Sequence, residues 1–297
     1  MLGRYKMGFL GYGNYNKPGR GVEKNEPEKR AVFKFFELYF RKFWKIMNVA
    51  LIYFFAAIPS FVIVFAATFF VELSFMNLNG GAMIELLHGE YMYVIFLYDM
   101  LISFVFVALI GAGPATAGLS YVLGCFADDC HAFIWQDFRD KFKENFKQST
   151  LVFLIDLIVF VLLSFAFVIY YSFGGAIGYI RYIVAVIGII FAAMHLYIYP
   201  MLVGYELKIS DIYKNAFILT MGKLPVTLIL LAIIIILHYA VFNVLSAFKL
   251  MIPIYILIEG FLLYGITGFT ASFRANRMFK MFFNVKGEDD NGNTGGN

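Results

Sequence analysis

The chain has 297 residues, of which 61% are Ala, Val, Ile, Leu, Met, Phe, Trp, Tyr or Cys and only 15% are charged. A soluble domain carries roughly 45–50% apolar and about 25% charged residues, so this chain lacks the polar surface to fold in water. Its mean hydropathy of +0.77 and net charge of +4 exclude a disordered chain too. An all-α integral membrane protein with several spans is what remains.

Residues 1–30 read as a disordered tail. They contain Gly, Tyr and charge but no apolar core of roughly 7–15 residues, so no cleavable signal peptide is expected and the first span inserts as its own signal. Residues 31–47 mix Phe, Tyr and Trp with Lys and Arg at helical spacing. They form either an interfacial helix whose bases meet anionic lipid or a helix that docks a partner. Six apolar segments follow within a membrane domain at 31–285: 46–72, 92–125, 150–172, 182–204, 224–246 and 250–273. Each reaches the about 20 residues that a spanning helix needs.

The second segment is too long for a straight span. At 1.5 Å per residue its length is about 51 Å, against about 30 Å of hydrocarbon. It must tilt strongly or break at Gly111-Ala112-Gly113-Pro114. Pro59 is placed to break the first span similarly, which would make 60–111 a hairpin protruding outward. Between spans two and three, Ile134, Phe138, Phe142 and Phe146 recur every four residues among Arg139, Lys141, Glu144 and Lys147. That is an amphipathic helix, which lies on the bilayer or docks a partner. The connector 206–223 repeats it loosely: Asp140, Phe142, Lys143 and Phe146 align with Asp211, Tyr213, Lys214 and Phe217 at an offset of 71. On that basis 92–172 and 182–246 are candidate parallel repeats. Residues 286–297 read as a second disordered tail.

The basic residues are distributed unevenly. Eleven precede the first span, four lie in 126–149, three in 205–223 and four after residue 273, leaving only Arg181 and Lys249 for the opposite face. By the positive-inside rule both termini are cytoplasmic, in the plasma membrane. Cys125 and Cys130 then sit on the reducing side and should remain thiols.

Several groups could carry chemistry. Asp99, Asp156, His195, His238 and Glu259 fall within apolar segments, where ionisable residues are costly and default to functional candidates. Counting helical rise, His195 and His238 lie about 14 and 21 Å deep with Glu259 between them, so a His–Glu pair could relay a proton or hold a polar substrate. The same pair could instead be mutually satisfied and only fix packing. Asp156 is near enough to the inner surface to be partly hydrated, and Asp99 could face water in the outer hairpin. Gly111, Gly113, Pro114 and Gly118 suit either close helix packing or an unwound stretch in which Thr116 faces a cavity. The cluster Cys125, Asp128, Asp129, Cys130 and His131 matches no zinc spacing, and no phosphate-binding loop, nucleophile elbow or His-Glu-x-x-His is present. No metal, cofactor, enzymatic activity or nucleic-acid partner is expected.

The run Phe35-Phe36-Glu37-Leu38-Tyr39-Phe40-Arg41-Lys42-Phe43-Trp44-Lys45 resembles the N-terminal signature of the YesL-like membrane proteins of Firmicutes. Gly113-Pro114-Ala115-Thr116-Ala117-Gly118-Leu119, His131-Ala132-Phe133-Ile134-Trp135, Phe138 to Thr150, and Tyr213-Lys214-Asn215-Ala216-Phe217 to Leu224-Pro225 are similar to that family as well. The resemblance spans roughly 27–285 and implies no set activity. It implies company with ABC importers for oligosaccharides, and hence an accessory or permease-like role in carbohydrate uptake. Glu206, Asp211 and Leu224-Pro225 also fall at the spacing of the ATPase-docking loop of importer permeases. Leu207, Lys208 and Ile212 stand where that loop has two alanines and a glycine. Docking would then use Phe138, Phe142, Phe146, Glu206, Asp211 and Phe217 against permeases or a cytoplasmic ATPase. The competing expectations are a scaffold without a solute pathway and an independent transporter built on His195, His238 and Glu259.

Overall fold

The structure, a computed structural model, describes residues 30–78, 90–246 and 252–291. Residues 1–29, 79–89 (with Glu85 and His88), 247–251 (with Lys249) and 292–297 lie outside the described residues. In chain order the helices are α1 (Ala31–Arg41), α2 (Phe43–Leu78), α3 (Glu90–Leu109), α4 (Pro114–Ala127), α5 (Ile134–Glu144) and α6 (Phe146–Ser172). A single turn, α7 (Gly175–Gly178), leads to α8 (Ile180–Gly204), α9 (Ile209–Gly222) and α10 (Leu224–Ser246). The last span comes in three pieces: α11 (Ile252–Ile258), a π-helical turn (Glu259–Leu263) and α12 (Tyr264–Asn291).

Among the described residues five helices are long and apolar enough to cross a bilayer, and the count reaches six if α3 and α4, bent by 53° at their break, form one span. Two expectations change in detail. Pro59 does not break α2, which runs through it for 36 residues. Inside a bundle a proline costs one backbone bond that neighbours can compensate, and α3 packs along α2 here. Residues 286–291 continue α12 instead of starting a disordered tail; a polar run can remain helical past the bilayer.

The second span does break where the glycines predicted, and its freed backbone groups can be followed one by one. Gly111 and Gly113 adopt φ of 112° and 64°, the left-handed region that glycine enters without penalty. The Ala112 N–H donates to Thr116 Oγ1 at 2.6 Å, and the Gly113 N–H donates to Tyr199 Oη at 3.2 Å. Ser60 Oγ donates to the Ala112 carbonyl at 3.2 Å, and Tyr53 Oη to the Val107 carbonyl at 2.7 Å. Pro114 opens α4 at the position where its missing N–H costs nothing. Gly111 is required twice over, because a Cβ there would also approach the Tyr199 ring to 2.6 Å.

Small residues set the closest helix approaches. A Cβ at Gly268 would come within 2.8 Å of Leu123, and one at Gly265 within 2.8 Å of Met47, so α12 lies tightly against α4 and α2. Gly118 admits α5: a Cβ there would stand 2.8 Å from the Phe138 carbonyl. The Phe138 side chain is buried and stacks on Phe142, which in turn meets Phe146. The apolar stripe of α5 therefore packs onto its own bundle through Phe138, while Phe146 at its end stays about half exposed. A bare amphipathic pattern cannot distinguish these covers.

The basic loops gather at one end. Asp129 meets Lys42 at 2.9 Å and Arg41 at 2.5 Å, Lys280 meets Asp128 at 2.7 Å, and Asn276 donates to the Gly124 carbonyl at 3.0 Å. Those two cations hold the Asp129 carboxyl below its ordinary range. This contact is present above the usual aspartate range and fades as pH falls through the lowered value. Gln148 Nε2 donates to the Leu207 carbonyl at 2.7 Å and ties the connector before α9 to the start of α6. Replacing Gly118 by Val should push α5 off α4 and destabilise the protein by about 1–3 kcal/mol; thermal unfolding in detergent checks this, with Gly188→Ala as a control because a Cβ at 188 meets nothing within 4 Å.

Candidate functional site

Four of the five intramembrane ionisable candidates form two pairs, each bringing together groups at matched depth. Asp156 lies about 15 Å along α6 from its start and His195 about 14 Å from the end of α8, and these two helices pack together. His195 Nε2 stands 3.0 Å from Asp156 Oδ1, with neither side chain exposed. Tyr213 Oη, from α9, donates to the same oxygen at 2.5 Å. Asp156 is thus fully enclosed, where its position had suggested partial hydration, and it is the partner of His195 that sequence reasoning missed.

The ring of His195 has a fixed protonation logic. Its Nδ1 lies 2.8 Å from the Phe191 carbonyl, which can only accept, so Nδ1 carries a proton. Nε2 faces Asp156 at ion-pair distance but makes no hydrogen bond of its own.

The second pair lies deeper. His238 is about 21 Å from the start of α10, and Glu259 is at the first residue of the π turn. His238 Nδ1 stands 2.6 Å from Glu259 Oε1, again with both side chains unexposed. Its Nε2 meets Thr267 Oγ1 at 3.0 Å. A hydroxyl can donate or accept, so this ring is free to take either tautomer. The π turn inserts one surplus residue and so re-aims Glu259; such turns recur at functional sites. Gly260 beside it is pressed by Phe54, which a Cβ would approach to 2.6 Å.

The His–Glu pair expected from depth is therefore His238 with Glu259, while His195 belongs to Asp156. Asp99 is also enclosed, on α3 packed against α2. Neither of its carboxylate oxygens has a hydrogen-bond partner among the described residues. Thr116 does not face a cavity: its hydroxyl closes the backbone break and lies 3.3 Å from Tyr53 Oη. Tyr213 and Thr267 were missed because a tyrosine on a connector and a threonine in an apolar run carry no signal of their own. Of the docking candidates, Phe138 is buried and Phe142 partly so, whereas Phe146 and Phe217 stay about half exposed and Glu206 and Asp211 lie at the surface.

A cavity of about 520 Å³ opens between α3, α6, α8 and α10, lined by Val105, Phe106, Phe160, Gly188, Phe191 and Tyr239 among others. Its wall is nearly all hydrocarbon. Phe191 connects it to the first pair, since the Phe191 ring lies edge-on to His195 at 4.7 Å. Around the cysteines no cation site forms: Asp128 and Asp129 are held by Lys280, Lys42 and Arg41, and no three His, Cys, Asp or Glu among the described residues are placed to hold a metal ion.

Fold and site together define a multi-pass helical membrane protein with paired ionisable groups in its interior. A family model described as "Protein of unknown function, DUF624" matches residues 91–167, which run from α3 through the broken span and α5 into α6. YesL-like proteins contain this domain, so the earlier resemblance and this match point the same way over that stretch. No curated protein and no solved structure matches the chain.

Removing one partner of a buried pair strands the other, at a cost of about 3–5 kcal/mol, whereas replacing both by apolar residues is much milder. His238→Leu or Glu259→Leu alone should therefore destabilise strongly, and the double variant should recover most of the loss. Unfolding of all four forms in detergent measures this coupling.

Proposed function

We propose that the chain is an accessory or permease-like component of oligosaccharide uptake, working beside a carbohydrate ABC importer in the plasma membrane with both termini in the cytoplasm. It performs no covalent chemistry of its own. The observation that carries the reading is the platform at the basic end, where Gln148 joins the start of α6 to the connector before α9. Phe146 and Phe217 remain 49% and 47% exposed there. Exposed aromatics flanked by Lys147 and Lys214 suit an interface with permeases or their ATPase. The family resemblance supplies the kind of partner. The tagged protein purified in mild detergent should bring down sugar-importer permeases or the ATPase. Phe217→Ser should lower that recovery roughly tenfold, as loss of about 1.4 kcal/mol would. Recovery of the chain alone, with normal oligosaccharide uptake in a deletion strain, would overturn the reading.

A second reading is favoured by the two His–carboxylate pairs. Histidines set beside carboxylates inside the membrane are what a proton-coupled transporter uses. It requires that purified protein in liposomes move solute and that Glu259→Gln abolish the flux. Liposomes silent across a sugar panel would remove it and leave the scaffold role.

A further inference from the structure

We propose that a recess between α1, the end of α4 and α12 binds the phosphate headgroup of an anionic phospholipid. The recess measures about 220 Å³ and is lined by Lys34, Asp128, Asn276, Arg277 and Lys280, with Phe273 below. Lys280 meets the Asp128 carboxylate at 2.7 Å, so that carboxylate does not hold Arg277. Among the described residues Arg277 makes no hydrogen bond or ion pair. A guanidinium set in a recess with its five donors unused matches the two oxygens of a phosphodiester.

Depth places the recess at headgroup level. From Pro253 to Phe273 the last span rises about 30 Å, which is the thickness of the hydrocarbon core. Arg274, Asn276, Arg277 and Lys280 occupy the next two turns. Basic pockets between spans at this level are where anionic headgroups bind.

The surroundings select a lipid over free phosphate. α1 is fastened to α12 by Phe35 and Tyr39, whose rings lie 5.3 and 5.7 Å from Phe269. Its other face presents Phe33, Phe36 and Phe40, and the start of α2 adds Trp44, all at least half exposed. Aromatic rings in such numbers belong at a membrane interface and give acyl chains a surface to follow. A free anion would gain nothing from them. The assignment needs no choice of leaflet and is independent of the importer reading.

The test uses the full chain in detergent, offered equal amounts of phosphatidylglycerol and phosphatidylcholine, with retained lipid counted by native mass spectrometry. The wild type should retain phosphatidylglycerol at least tenfold over phosphatidylcholine. Arg277→Gln should bring that ratio close to one, and Arg277→Lys should be intermediate, because it keeps the charge and loses the fork. Lys143→Gln, an exposed basic residue elsewhere at the same end, should leave the ratio unchanged, and circular dichroism verifies that each variant keeps its helix content. Undiminished preference in Arg277→Gln overturns the proposal. So does complete displacement of the lipid by millimolar inorganic phosphate, which would make the recess a site for the free ion. Importer co-purification by Arg277→Gln has no bearing on this result, so the two readings fail separately.

Discussion

Hydrocarbon offers no hydrogen bonds, and nearly every unusual feature of this bundle follows from that single constraint. Where the second span unwinds, four freed backbone groups are met by side chains from the same chain: Thr116 from the next turn, Ser60 and Tyr53 from α2, Tyr199 from α8. Where carboxylates fall in the interior, two of them meet a histidine at matched depth. Tyr199 and Tyr213 bring the two devices close together. One supports the broken backbone, the other bonds Asp156, and α8 and α9, which carry them, pack against each other. The break and the first pair are parts of one polar seam through an otherwise apolar bundle.

The spans were legible because hydropathy over twenty residues averages out local detail. So was the break, since Gly111, Gly113 and Pro114 have few other uses in the middle of an apolar run. Pairing was only half legible. Depth set Glu259 between His195 and His238 without choosing between them, and only the packing of α6 on α8 assigns His195 to Asp156. Rise along a helix gives one coordinate; which face a residue takes is set by neighbours that one sequence does not name.

The stripe on α5 teaches a related lesson. Phe138, Phe142 and Phe146 announce that something apolar covers them, and the pattern is the same whether that cover is lipid, a partner or the chain itself. The deciding residue is Gly118, distant in the sequence pattern and small enough to let the helix settle on α4. The aromatic face of α1 was read with the alternatives of lipid and partner, and its inner half turns out to grip α12 while its outer half remains open.

The π turn at Glu259–Leu263 has a mechanical corollary. One surplus residue shifts the phase of everything beyond it by about 100°. The two halves of the last span thus keep separate alignments: the upper half faces α10 through Glu259, and the lower half meets α4 through Gly268 and Asn276. Sliding that surplus residue along the helix would rotate one half while the other stayed seated. The span is built as a coupling between two bearings, with the His238–Glu259 pair at the joint.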